Sequence, residues 1–284
     1  MNADFDPRVT AARADLAAAH LRGRIAAPRF AEGRAAQVAR GTAGLRAAPF
    51  DDAGQHTELL FGERFTIYEE ENGWVWGQAE SDRYVGYARS ACFATQISAP
   101  THRVTARATP VLPAPDVKRA PHDLLPLNAK VSVTGEQNRF ARLESGFYVF
   151  AGHLAPIGQI AADWVAVAES FLGVPYVWGG KTVAGLDCSG LVQTALEAGG
   201  QHAPRDTDMM EAELGTAVPL AADLSGLARG DLVFWKGHMG VMQDGLRLLH
   251  ANATAMQVAS ENLADAAGRI AGTEGPIRTI KRLG

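Results

Sequence analysis

Apolar and polar positions follow two different periods along this chain. From about residue 41 to 100 the apolar residues come in short runs of period two, separated by turns. These runs predict strands over residues 44–46, 57–61, 63–68, 74–78 and 84–88, with Glu71-Asn72-Gly73 as a hairpin signal before Trp74. Short strands so closely spaced predict a small barrel. Residues 101–158 repeat the pattern more loosely, at 104–108, 125–128, 131–134, 140–143 and 146–150, around a Pro-rich loop over 110–121. Beyond residue 158 helical spacing appears. Trp164, Val165, Val167, Ala168, Phe171 and Leu172 predict a packing helix over 162–172, ended by Gly173-Val174-Pro175. Leu191, Val192, Ala195 and Leu196 share one face of a second helix, over 189–198, stopped by Gly199-Gly200. Strands follow over 231–235, 238–244, 246–250 and 256–259, as one antiparallel sheet, with short helices at 209–214 and 262–268 and a last strand at 275–281. Four segments result: an extension (1–40), two small β domains (41–100 and 101–158) and an α+β domain (159–284). Within the extension, residues 9–19 form a short helix, or residues 8–21 drape over the next domain; a packing arm is the default and no functional role is assigned.

The chemistry concentrates in the α+β domain. The stretch from Val174 to Gly180, running on to Leu186-Asp187-Cys188-Ser189-Gly190-Leu191, places a cysteine where a turn becomes a helix. Orphan N–H groups and the positive end of the helix dipole favour an anion there. A thiol so placed is expected to have a lowered pKa, and the thiolate is the reactive form. Cys92, in an apolar setting, reads instead as a small core residue. A thiolate nucleophile needs a base, and the base needs an orienter. His238 begins a predicted strand after the Lys236-Gly237 turn, and His250 ends another after the Asp244-Gly245 hairpin signal. Adjacent antiparallel strands would carry the two imidazoles side by side, one taking the thiol proton and the other fixing its tautomer. Asn252 and Glu261 lie near the histidines in sequence, with loop roles as the default.

Five stretches then carry a resemblance: Pro175-Tyr-Val-Trp-Gly-Gly180, Asp187-Cys-Ser-Gly-Leu191, Gly230-Asp-Leu-Val-Phe234, Gly237-His-Met-Gly-Val241 and Leu249-His-Ala251. In this order they resemble the successive motifs of the NlpC family of papain-like cell-wall cysteine peptidases, over about residues 160–284. The resemblance implies a papain-like α+β domain with Cys188 as nucleophile, His238 as base and His250 as the polar third member. It implies that Tyr176 helps form the oxyanion site and that Trp178 lines the cleft. Leu59-Leu-Phe-Gly-Glu63, Asn72-Gly73-Trp74 and Tyr84-Val-Gly-Tyr87 resemble a bacterial SH3-like domain, with a second SH3-like barrel at 101–158. Family members built this way include cytoplasmic recycling enzymes that hold the free amine of a short stem peptide. By that resemblance Asp187, Ser189 and Asp206 bind the amine, with Tyr84 and Glu63 as the contribution of the first barrel. Asp206 has an equal reading as a helix cap ahead of Met209. Trp74, Trp76, Tyr84 and Tyr87 read mostly as core or hairpin surface of that barrel, the alternative being that one face of it walls the peptidase cleft.

Composition narrows the rest. The chain has 284 residues, 47% hydrophobic and 20% charged, with a net charge of −4, so nothing in the balance argues for nucleic acid or an anionic membrane as a partner. Two cysteines give no disulfide framework, and the eight histidines make no metal-ligand spacing, so neither metal nor cofactor is expected. The acidic start Met1-Asn-Ala-Asp-Phe-Asp6 and the charged residues of the following Ala-rich run do not match an export signal, and no segment has the ~20 apolar residues of a transmembrane helix, so a cytoplasmic location is expected. The expected activity is hydrolysis of the γ-D-glutamyl–diamino acid bond in murein peptides with a free N-terminus. Alternatives are an open-groove hydrolase of intact wall, a related amidase or acyltransferase, and a wall-binding module with an inert peptidase domain. The sequence leaves oligomeric state open.

Overall fold

A computed structural model describes residues 5–284 of the chain; residues 1–4, the start of the acidic N-terminus, lie outside the described residues. The chain divides into two compact units, Met1–Ile157 and Gly158–Gly284. Among the described residues no helix is long and apolar enough to cross a membrane.

The first unit is built from β-strands. Its largest sheet has seven antiparallel strands, in the order Gln55–Leu60, Thr42–Arg46, Val85–Arg89, Trp74–Ala79, Arg64–Glu71, Arg34–Val38 and Phe93–Ala94. The strand Arg34–Val38 lies within the segment read from sequence as an extension, and it pairs with Arg64–Glu71. Inward residues Val38, Leu45, Leu59, Phe65, Val75 and Ala88 form a buried core, against which Cys92 and Phe93 pack. The helix expected over residues 9–19 is not formed. Leu16–Ala18 is a strand paired in parallel with Arg29–Ala31, followed by a 3-10 turn at Ala19–Leu21. Ala11, Ala12, Leu16, Ala18 and Leu21 are buried against Trp76 and Val85, which realises the draping alternative. Tertiary burial here overrides the helix preference of an alanine-rich run.

Residues 102–156 form smaller antiparallel pieces around Val104, Val111, Leu125, Val131, Leu143 and Val149. The Pro-rich stretch is not wholly a loop. Ala108–Val111 is a strand paired with Asp123–Pro126, and Pro110 is accommodated in this two-stranded sheet.

The second unit combines four helices with one six-stranded antiparallel sheet. Helix α1 is Trp164–Glu169, α2 Cys188–Ala198, α3 Thr207–Glu213 and α4 Leu263–Ile270. The sheet runs Thr216–Val218, Thr279–Arg282, Leu232–Trp235, His238–Met242, Arg247–Asn252 and Gln257–Asn262. The strand Thr216–Val218 and the short pair Lys181–Thr182 with Gly185–Leu186 carry too few apolar residues to register as strands in the sequence. Leu263, Ala266 and Ile270 of α4 pack on Val233, Trp235, Met242, Leu248 and Ile280 of the sheet. The ten buried residues of α2 explain its position against the strands His238–Met242 and Arg247–Asn252. This packing brings the start of α2 to the histidine strands.

Candidate active site

Cys188 is the first residue of α2 and is buried. The helix starts there because Asp187 caps it: Gly190 N–H donates to Asp187 Oδ1 at 2.7 Å. Gly179 N–H donates to Asp187 Oδ2 at 2.8 Å, which ties the preceding loop to the same carboxylate. Gly190 has no room for a side chain, since a Cβ would lie 2.1 Å from the Gly180 carbonyl oxygen. The glycines around the cysteine thus serve a close approach of two backbones at the nucleophile.

Asp187 is further engaged by Arg205, a buried guanidinium whose Nη2 lies 2.6 Å from Oδ2 and whose Nη1 donates to Oδ1 at 3.0 Å. Nη1 also donates to Ser189 Oγ at 2.8 Å, and Ser189 Oγ donates to Asp187 Oδ1 at 3.3 Å. Two of the residues expected to bind the substrate amine are therefore held in a fixed ion-pair network under the nucleophile. Arg205 itself was visible in sequence only as the neighbour of Asp206. Asp206 is the N-cap residue of α3, but its side chain makes no cap hydrogen bond, unlike Asp163, Asp187 and Asn262 at the other helices.

The Cys188 thiol does not have the lowered pKa expected of a helix N-terminus. Burial pushes it up to about 11, and the neighbouring Asp187 charge adds to the rise. Opposing contributions come from Thr207, the Met239 backbone N–H and Arg205. Thr207 Oγ1 lies 3.8 Å from the sulfur. Met239 directly follows His238, so this N–H fixes the sulfur beside the histidine strand.

His238 opens its strand opposite Trp235, directly after Gly237 at φ 77°. Its Nε2 lies 2.8 Å from His250 Nδ1. Between the two strands Gly240 is required, because a Cβ there would lie 3.0 Å from His250 Cβ and 2.7 Å from Leu248 Cδ1. His250 Nε2 lies 2.7 Å from Glu261 Oε1, and that carboxylate is ion-paired with Arg269 of α4. Asn252 Nδ2 lies 3.0 Å from the same His250 nitrogen. Burial, reinforced by His250, lowers the His238 pKa to about 3; burial also lowers that of His250, against the pull of Glu261. The resting pair is therefore a protonated thiol and a neutral imidazole.

Tyr176 is half-buried, and its N–H donates to the Met256 carbonyl at 2.9 Å. Burial raises its phenol pKa above the usual range, and the nearby charges of Cys188 and Asp187 raise it further, so the hydroxyl stays a donor. Trp178, 67% exposed, stands out as a large aromatic with little cover. Tyr84 and Glu63 belong to the first unit and are buried. Leu60 N–H donates to Glu63 Oε2 at 2.8 Å across a tight turn, and Tyr84 N–H donates to Asp82 Oδ1 at 3.1 Å. Glu63 thus holds a turn of the sheet. Among the described residues no cluster of three or more His, Cys, Asp or Glu could hold a metal ion.

Thr207, Arg205, Gly240 and Glu261 are the site residues that sequence reasoning did not assign. Each matters through spatial register; Glu261 had a sequence signal as a polar residue shortly after the histidines, and Gly240 as part of the stretch Gly237–Val241.

Residues 173–268 match the NlpC/P60 family model, and residues 45–91 match the bacterial dipeptidyl-peptidase Sh3 domain. The chain is 32% identical over 149 residues to a γ-D-glutamyl-L-lysine dipeptidyl-peptidase of Bacillus subtilis (strain 168), covering 48% of this chain and 47% of that protein. It is 27% identical over 242 residues to dipeptidyl-peptidase 6 of Lysinibacillus sphaericus, covering 76% of this chain and 87% of that one. The chain thus spans about half the length of the first relative and most of the second. The fold is similar to a crystal structure of an NlpC/P60 family protein from Bacillus cereus ATCC 10987, at a TM-score of 0.72 and 20% identity, covering 87% of this chain and 99% of that one. The chain thus carries an NlpC/P60 family domain over residues 173–268, preceded by a bacterial dipeptidyl-peptidase SH3 domain over residues 45–91.

Proposed function

We propose that the chain is a cysteine endopeptidase that hydrolyses the bond between γ-D-glutamate and a diamino acid in murein peptides with a free N-terminus. The observation that carries this reading is the polar chain behind the nucleophile: Cys188 at the head of α2, beside a histidine strand whose His238 Nε2 lies 2.8 Å from His250 Nδ1. The names of the two relatives above, a γ-D-glutamyl-L-lysine dipeptidyl-peptidase and a dipeptidyl-peptidase, support the substrate class.

His238 turns Nε2 toward His250, which leaves Nδ1 for the thiol. As the Cys188 sulfur bonds to the substrate carbonyl carbon, its proton passes to His238 Nδ1. The thiolate and imidazolium arise together in the transition state, which fits a resting site whose burial favours both neutral forms. Negative charge then collects on the carbonyl oxygen. The Cys188 N–H and the Tyr176 hydroxyl stabilise it, each such donor contributing ~3 kcal/mol. The C–N bond breaks, His238 returns the proton to the departing amine, and the acyl group remains as a thioester. Water attacks the thioester, gives a proton to His238, and the thiol is restored as the carboxylic acid leaves.

Asp206, at the start of α3, is the carboxylate proposed to receive the substrate ammonium, since a carboxylate accepts charge-assisted hydrogen bonds from it. Asp187 and Ser189 act indirectly, since Arg205 already engages both. The small antiparallel sheets over residues 102–156 support a second SH3-like assembly there.

The test is product analysis on L-Ala-γ-D-Glu-diaminopimelate and the same peptide with its amine acetylated. Cleavage of the free peptide alone is expected. Equal cleavage of both would remove the amine-binding role of Asp206 and favour an open groove on intact wall.

A further inference from the structure

We propose that Glu261 is a positioning residue that sets the tautomers of both histidines, acting on His238 only through His250. The inference rests on the peptidase reading for its kinetic consequence, and on geometry alone for the tautomers.

His250 pairs with Ala259 across the strand Gln257–Asn262, and Leu248 pairs with Glu261. Residues two apart on a strand share a face, so Glu261 is the diagonal neighbour of His250 on the same face. That places its Oε1 2.7 Å from His250 Nε2. A carboxylate only accepts hydrogen bonds, so this contact requires a proton on His250 Nε2. A neutral His250 then has a lone pair on Nδ1. His238 Nε2, at 2.8 Å, must donate to that lone pair. The one remaining ring nitrogen of His238, Nδ1, is left unprotonated and able to act as base. The carboxylate at the far end of the chain thus decides which nitrogen faces the thiol.

A competitor lies at the same atom. Asn252 Nδ2 is 3.0 Å from His250 Nε2, and its amide is oriented by Ala255 N–H donating to Asn252 Oδ1 at 2.7 Å. The amide nitrogen is a donor and asks for a lone pair on Nε2, the opposite tautomer. That tautomer would put a proton on His250 Nδ1, force His238 to accept at Nε2, and leave N–H facing the sulfur, where it cannot act as base. Glu261 wins because a charge-assisted bond is roughly twice as strong as a neutral one. Arg269 of α4 holds the carboxylate at Oε1, the oxygen that His250 uses, and Arg269 is itself fixed by donating to Thr254 Oγ1 at 3.0 Å. Helix α4 thereby takes part in setting the base.

The experiment combines a spectrum with a variant series. Nitrogen-15 NMR of the histidine rings in the full chain, without substrate, is expected to show His250 protonated at Nε2 and His238 protonated at Nε2. Glu261→Ala is expected to move the proton of each ring to Nδ1 and to lower kcat about 10²-fold, the low end of what general acid–base catalysis contributes, with KM unchanged. Glu261→Gln keeps an acceptor oxygen and is expected to recover most of kcat. The double variant Glu261→Ala with Asn252→Ala removes the competing donor and is expected to recover part of it. A purely structural role would give a loss that the second substitution does not relieve. A wild-type spectrum with His250 protonated at Nδ1, or a Glu261→Ala enzyme with unchanged kcat, overturns the proposal. If Glu261→Ala fails to fold, the wild-type spectrum still decides. The spectrum needs no turnover, so a failure of the peptidase reading is seen separately, as absent cleavage by the wild-type chain.

Discussion

Two arginine–carboxylate networks in this molecule are made of the same chemistry and differ in burial. In the first unit Arg13 and Arg29 bridge Asp15 and Glu69, with side chains between 19% and 56% exposed. In the second, Arg205 and Asp187 are 1% and 8% exposed and meet through two hydrogen bonds. Exposed pairs are screened by water and pin surface strands weakly. A buried pair cannot be hydrated, so its geometry is fixed, and here it fixes the N-cap of the helix that carries Cys188. The lesson is that position relative to solvent, more than the residue types, separates a site-building ion pair from a surface one.

The comparison is broken most forcefully at Arg205. Arg205→Met leaves the Asp187 carboxylate buried without its cation, and the expected loss is ~3–5 kcal/mol. Chemical denaturation monitored by tryptophan fluorescence checks this, together with loss of peptide cleavage. A loss no larger than that of a surface substitution would mean that Asp187 is hydrated.

Acid sharpens the comparison with a smaller effect. The folded His238 has its pKa lowered from 6.5 to about 3, chiefly by burial. Between those values the unfolded chain binds a proton that the folded chain does not, so stability is full above pH 6.5 and falls as pH drops toward 3. His250, lowered in the same direction, adds to the trend. The protection factors of amides in the strands His238–Met242 and Arg247–Asn252, corrected for the intrinsic exchange rate at each pH, are expected to fall over this range. The raised Cys188 thiol has the opposite sign: its contribution is full below pH 9 and is lost as pH rises toward 11. Unchanged protection factors across the acid window would contradict the neutral, buried histidines.

The smallest effect belongs to the exposed network. Arg29→Ala is expected to leave the thermal midpoint unchanged within reproducibility, because its side chain is more than half exposed and its ion pairs are screened by water. A clear drop would place that cluster with the buried one.

The parts of the site that were legible in sequence depend on local signals. Cys188 follows a capping aspartate and precedes a helical apolar face, and the histidines bracket hairpin turns. The helix boundaries at Cys188–Ala198 and Leu263–Ile270 fall close to the residues read from their apolar spacing. What escaped depends on register or burial. Glu261 meets His250 as a diagonal neighbour, which needs the pairing of Ala259 with His250 to be known. Arg205 reaches Asp187 from 18 residues away. The thiol pKa was misjudged because a helix N-terminus was weighed without the desolvation that outweighs it. The alanine-rich segment near the start left a helix and a draped arm both open in sequence, and burial against Trp76 selects the arm.

The central claim is that Cys188 performs the chemistry on a γ-D-glutamyl bond. The direct measurement is mass-spectrometric product analysis of L-Ala-γ-D-Glu-diaminopimelate after incubation with the wild-type chain and with Cys188→Ala. The account predicts L-Ala-D-Glu and free diaminopimelate from the wild type, and intact peptide from the variant. Cleavage that persists in Cys188→Ala, or a wild-type cut at the L-Ala–D-Glu bond, would contradict it.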